Sequence, residues 1–191
     1  MDATDGDGFR VGRQGWRAGV HTAAVAERAG VSAESIYKGF GTKAALAKAV
    51  FDLVIAGDDE PVPVWRRSEA DAIRAEPDVR RKIMLYSRGL ATRQQRSAKV
   101  QILIRDGGHT DQTLAALWQR LLAERLTGMT ILGRHLIESG QLREGIELGE
   151  VRDVLWTYTA VELYELLVVE RGWPLDRYAD WIGQAIAAAL V

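Results

Sequence analysis

Apolar residues recur at steps of three and four along most of this chain, and no stretch alternates apolar with polar as a half-buried strand would. The pattern predicts helices throughout. Thr22 can cap a helix carrying Val25, Ala26 and Ala29 that stops at Gly30, and Ser32 caps a second one with Ile36, Tyr37 and Phe40 on its apolar side. Gly39 and Gly41 end that helix, and Thr42 caps a third through Leu46, Val50, Phe51 and Val54. Gly57 to Pro63 holds three acids and two prolines, which reads as a break between domains. Beyond it, Pro77 and Asp78 open a helix through Ile83, Met84, Tyr86 and Leu90, and a further one carries Val100, Leu103 and Ile104 up to Gly107. A long helix from Asp111 lines up Leu114, Leu117, Trp118, Leu121, Leu122, Met129, Leu132 and Leu136. Gly140 and Gly145 bracket a loop, an apolar helix is expected from about Glu150 to Glu170, and Pro174 opens the last. Residues 1–19 contain five glycines among charges and carry no helical period, so they are expected to be irregular.

The expected fold class is therefore all-α: an N-terminal helix-turn-helix head over residues 20–56, joined to a larger helical bundle over 64–191. At 191 residues, with ordinary globular composition, the chain can bury a sizeable core without staples. It has no cysteine, which excludes disulfides, thiolate metal sites and cysteine nucleophiles. No apolar run reaches the roughly 18 residues of a membrane span and no signal-peptide core opens the chain, so the cytoplasm is the expected location and no membrane partner is expected.

Charge changes the picture of the head. The whole chain carries a net charge of -1, yet Gly8 to Lys48 holds seven basic residues against Glu27 and Glu34. A basic head on a near-neutral body suits nucleic-acid contact confined to the head. Within it, Gly30 permits a turn, and the helix after Ser32 can enter a major groove with Ala33, Glu34, Ser35 and Lys38 as its reading face. Tyr37 and Thr42 can donate to phosphates from their hydroxyls, Lys43 adds charge at a helix start that already favours an anion, and the capping residues Thr22 and Ser32 complete the expected DNA-binding set. Glu34 is the exception: it repels phosphate unless it accepts from a cytosine amine.

The run Val25-Ala-Glu-Arg-Ala-Gly-Val-Ser32, followed by Ile36-Tyr-Lys-Gly-Phe-Gly-Thr-Lys43 and Leu46, resembles the signature of the tetracycline-repressor (TetR) family of regulators. Likeness to a group of its members extends through Leu142-Arg-Glu-Gly-Ile, Asp153-Val-Leu-Trp, Glu162-Leu-Tyr, Glu170-Arg-Gly-Trp and Leu175 to Trp181. The resemblance implies a homodimer whose heads bind a palindromic double-stranded DNA operator and whose bodies bind a small effector, with release of DNA as the effect. Family members place an amphipathic helix before the Gly-aromatic pair that Gly15-Trp16 matches. Here Met1 to Gln14 is broken by Gly6, Gly8 and Gly12, so that helix is expected to be missing or replaced. A dimeric ligand-binding or protein-interaction relative that has lost DNA binding is the alternative reading.

A regulator body needs a cavity, and its expected wall is Met84, Leu103, Trp118, Leu122, Met129, Trp156 and Tyr164, with core packing the competing role for the aromatics. The two apolar C-terminal helices suggest a four-helix interface between chains through Val161, Tyr164, Val168, Tyr178, Trp181, Ile182 and Ile186. The runs Arg80-Arg-Lys82 and Arg93 to Lys99 read as solvated faces. His135 with Glu138 stands at helical spacing, but two ligands do not make a metal site, and a surface ion pair or a pocket wall suits them better. No nucleophile-base pairing and no phosphate loop is visible, so neither an enzyme, a metal nor a cofactor is expected.

Overall fold

The computed structural model describes residue 30, residues 32–56 and residues 68–191. The expectations for residues 1–19, for the helix before Gly30 and for the break around Gly57 to Pro63 lie outside the described residues. The chain forms two compact units, Met1–Lys43 and Ala44–Val191. Every element among the described residues is helical.

In the first unit, helix α1 (Ala33–Phe40) follows Gly30, whose φ of 67° no side chain would readily accept. Ser32 caps it as its position suggests: its Oγ accepts from the Ser35 N–H at 3.0 Å, and its carbonyl takes the Ile36 N–H. Helix α2 (Lys43–Ala56) starts one residue past Thr42. The boundary between units falls at its first residue rather than after its last, because Ala44, Ala47 and Phe51 pack against Ile104, Leu114, Leu117 and Leu121 of the second unit.

The second unit continues with α3 (Ser68–Ala75), α4 (Val79–Gly107), α5 (Gln112–Glu138), α6 (Leu148–Tyr158), the short α7 (Val161–Tyr164) running into a π-helical segment Glu165–Glu170, and α8 (Leu175–Leu190). Asp78 and Asp111 cap α4 and α5 through their carboxylates. Helices α4 and α8 make the main contact of the bundle, with Ile83, Leu90, Tyr178, Ile182, Ile186 and Leu190 at its centre. Val151, Leu155 and Val161 complete the core.

Two expectations change here. Helix α4 is a single helix of 29 residues, about 43 Å long, where the apolar pattern suggests two. The interval between its apolar stretches faces the core with polar residues that satisfy one another: Gln101 Nε2 donates to Gln94 Oε1 and to Ser97 Oγ, both at 2.9 Å. Conversely, the stretch from Glu150 to Glu170 is not one helix but breaks at Thr159–Ala160. The Leu163 N–H, which would have bonded the Thr159 carbonyl in a continuous helix, turns to Ala160 O, and Gln94 Nε2 takes the Thr159 carbonyl at 3.1 Å. One buried glutamine thus supports both departures.

Tyr178 is completely enclosed, and its hydroxyl has no hydrogen-bond partner. A hydroxyl stripped of water without replacement costs about 1–3 kcal/mol, so Tyr178→Phe is expected to raise stability by roughly 1 kcal/mol in urea unfolding at pH 7. Burial, with smaller effects from Tyr164 and Tyr86, also pushes this phenol up, well above the ordinary tyrosine range. Above about pH 10 the unfolded tyrosine releases its proton while the native one does not, so the wild type loses stability as pH rises. The phenylalanine variant lacks that term, and its advantage is expected to widen above pH 10.

Candidate functional site

Helix α1 is amphipathic within eight residues. Ile36 is buried, whereas Glu34, Ser35 and Lys38 lie exposed on the opposite side. The helix is about 12 Å long, which matches the width of the B-DNA major groove. Glu34 and Lys38 share a face at i, i+4, yet no ion pair forms between them. Ser32 and Ser35 are tied to each other, Oγ to Oγ, at 2.9 Å, so Ser32 serves the helix as its cap. Ala33 and Tyr37 stand on the same helix, and their side chains lie outside the description, as does Thr22 altogether. Thr42 is exposed, and Lys43 is half-buried at the first position of α2, where the positive end of the helix dipole and a basic side chain together favour an anion. Lys48, one turn on, is engaged by Asp52 at 2.7 Å and approaches Glu124.

The body contains a cavity of about 340 Å³ bordered by α3, α4 and α5. Ile73, Met129, Ile131 and Leu132 give it an apolar wall, and Tyr86, Arg74, Arg93 and His135 supply its polar groups. Of the residues expected from the sequence, Met129 lines it, accepting from the Tyr86 hydroxyl at 3.4 Å. The others take different places. Met84 lies beneath Gly183 of α8, Trp118 packs against both apolar clusters, and Tyr164 stands edge-on to Tyr178 at 5.3 Å. Trp156 donates to the Leu122 carbonyl and lies under the Arg125 guanidinium at 4.8 Å, and Leu103 is half-buried on α4. Burial lowers the Arg125 pKa below the usual arginine range, against the opposing pull of Glu162, and its Nε has no hydrogen-bond partner.

Lys82 is the residue the sequence disguised. Its neighbours Arg80 and Arg81 are solvated as their run suggests, but Lys82 itself is only 4 % exposed. The cause is the end of α3. The Ile73 carbonyl would look four residues on to Pro77, which has no N–H, and the Arg74 carbonyl to Asp78, whose N–H goes to Glu76. Lys82 Nζ takes both carbonyls, at 2.9 and 3.1 Å, and meets His135 Nε2 at 3.0 Å. His135 is thus a wall of the cavity rather than the start of a metal site. Among the described residues no group of three or more His, Cys, Asp or Glu comes together to hold a metal.

The residues expected to join two chains are mostly spent within one. Val161, Tyr178, Ile182 and Ile186 have no exposed surface left, and Tyr164 has little. Val168 is partly buried against the same core. Trp181 does reach the surface, at 37 % exposed, beside Trp173 and Tyr158. Two residues of the π-helical segment, Leu166 and Val169, are more than half exposed. A π segment shifts the register of the residues it contains relative to a continuous α-helix.

Among the described residues no helix is long and apolar enough to cross a membrane. Residues 12–50 match the family model for bacterial regulatory proteins of the tetR family, a span that takes in α1 and the start of α2. No curated protein and no solved structure matches the chain.

Proposed function

We propose that this chain, whose residues 12–50 belong to the tetR family of bacterial regulatory proteins, is a transcriptional repressor that binds a palindromic operator as a homodimer and is released by a small molecule held in its body. The observation that carries the reading is the short capped helix α1, with Glu34, Ser35 and Lys38 facing away from buried Ile36. A helix of this length, begun by a side-chain cap and backed by one apolar anchor, is what a major-groove reader requires. Thr42 and Lys43 follow it as phosphate donors, and the further DNA-binding candidates Thr22 and Tyr37 fall within the family-matched span. The reading makes the protein a regulator with no catalytic duty.

The test is a mobility-shift series with the purified full-length protein and the DNA upstream of its own gene, at low salt and then at rising salt. A sequence-selective shift that weakens steeply with salt is the expected result. No shift of any such fragment at low salt would sink the reading and leave a dimeric ligand-binding relative in its place.

For the second copy, the exposed apolar side chains of the C-terminal region offer the surface: Leu166 and Val169 on the π segment and Trp181 on α8. Exposed aromatic and aliphatic groups suit an interface between identical chains. Val169→Glu combined with Trp181→Glu is expected to convert the dimer to a monomer, read as a halved molar mass by light scattering. Because neither residue anchors the core, circular dichroism should show the helical content unchanged.

A further inference from the structure

We infer that the body cavity takes a small apolar carboxylate, whose anionic head is received by the His135 imidazole and backed by the buried ammonium of Lys82. The inference rests on the reading of the body as the effector-binding part and adds the chemistry of the effector.

The cavity, at about 340 Å³, stands at the small end of the range for ligand sites. Among the described residues its wall is mainly apolar, and none of the polar residues that line it is acidic. Behind the wall lies Lys82, only 4 % exposed. Its three N–H groups are used by the carbonyls of Ile73 and Arg74 and by His135 Nε2. No carboxylate of the described residues pairs with it. Neutral carbonyls satisfy its hydrogen bonds but do not cancel its charge, and an unbalanced charge away from water is costly.

An ammonium has no lone pair to offer, so at this contact Lys82 donates and His135 Nε2 accepts. The ring proton therefore sits on Nδ1, which has no hydrogen-bond partner among the described residues. His135 thus presents a donor, polarised from behind by a cation, at the wall of an apolar cavity. A carboxylate accepting from Nδ1 supplies the counter-charge that Lys82 lacks. A neutral alcohol gains the hydrogen bond without that charge, and an amine meets repulsion. Arg74 is occupied by Asp71, and Arg93 lies over the Tyr86 ring at 5.5 Å, so neither replaces the His135 donor.

Calorimetric titration of the full-length protein with octanoate and benzoate, against octan-1-ol, benzyl alcohol and octylamine, tests the inference. At least one carboxylate should bind tenfold or more tightly than its alcohol, and octylamine should not bind. In His135→Leu the carboxylate should fall to the affinity of the alcohol while alcohol binding persists, which separates lost recognition from lost folding. Lys82→Met should act in the same direction, and the His135 ring resonances in nitrogen-edited spectra should move with the carboxylate and not with the alcohol. Equal affinity for acid and alcohol, no binding of either acid, or a preference that survives in His135→Leu would overturn the inference. Operator binding is assayed separately. Carboxylate selectivity without any DNA shift keeps the inference and removes the repressor reading, and a DNA shift without carboxylate selectivity does the reverse.

Discussion

Replacing Lys38 and Lys43 together by alanine is expected to weaken operator binding on the order of 10³-fold at physiological salt while leaving the fold unchanged. The size follows from counterion release. Each phosphate contact to duplex DNA contributes a slope of about 0.9 in log affinity against log salt, or roughly fivefold at 0.15 M relative to 1 M. Lys43 meets a phosphate and Lys38, on the groove-facing side of α1, brings a second cation against the duplex; two lysines in each of two protomers remove four such charges, and four factors of about five give the stated loss. The slope of the salt plot should fall by about 4, which a merely misfolded head would not produce. Lys38 is exposed on the outer side of α1, and Lys43 stands at the start of α2. The internal control is Lys48→Ala. That lysine already binds Asp52 and is expected to change affinity by less than about twofold, since exposed pairs of this kind contribute little to either state. Equal losses from Lys38→Ala, Lys43→Ala and Lys48→Ala would show that general charge, not the helix α1 face, governs binding.

How far such a site could be read from the sequence depends on the range of the interactions that form it. The caps at Ser32, Asp78 and Asp111 are local, each side chain bonding backbone two or three residues on, and each is visible in the order of residues. The exposed face of α1 follows from the same short range. The cavity does not. Lys82 sits in a run of three basic residues that looks solvated, and it is buried because Pro77 and Asp78 leave carbonyls of a different helix unserved. Its partner His135 is 53 positions away. Gln94 is equally opaque: a glutamine between arginines reads as surface, yet it serves a helix break 65 residues later. The aromatics Trp118, Trp156 and Tyr164 were expected at the cavity and instead pack on clusters, on Arg125 or on Tyr178. Hydrophobic periodicity marks which side of a helix turns inward, but not which inward side chains stop short of filling the space.

At Gly183, substitution should produce a graded loss of stability that reports on how closely α4 and α8 approach. A Cβ added there would overlap Met84 Sδ and lie 3.3 Å from Ser87 Oγ. Gly183→Ala sets that clash against the helix-propensity gain of about 1 kcal/mol from removing a glycine, and Met84 is flexible enough to yield. Its net effect is expected within about 1 kcal/mol of zero. Gly183→Val adds branched methyl groups where Ser87, fully buried and bonded to the Ile83 carbonyl, cannot move aside. Overpacking of this kind costs about 1–3 kcal/mol, and the upper end is expected at so tight a crossing. Urea unfolding of the two variants measures the difference. Because Met84 supplies the nearest atoms, Met84→Ala should relieve part of the valine penalty. A double-mutant cycle should give a favourable coupling of about 1 kcal/mol or more between the two sites. Stability unchanged in Gly183→Val, or strict additivity with Met84→Ala, would mean that the two helices do not meet at this glycine.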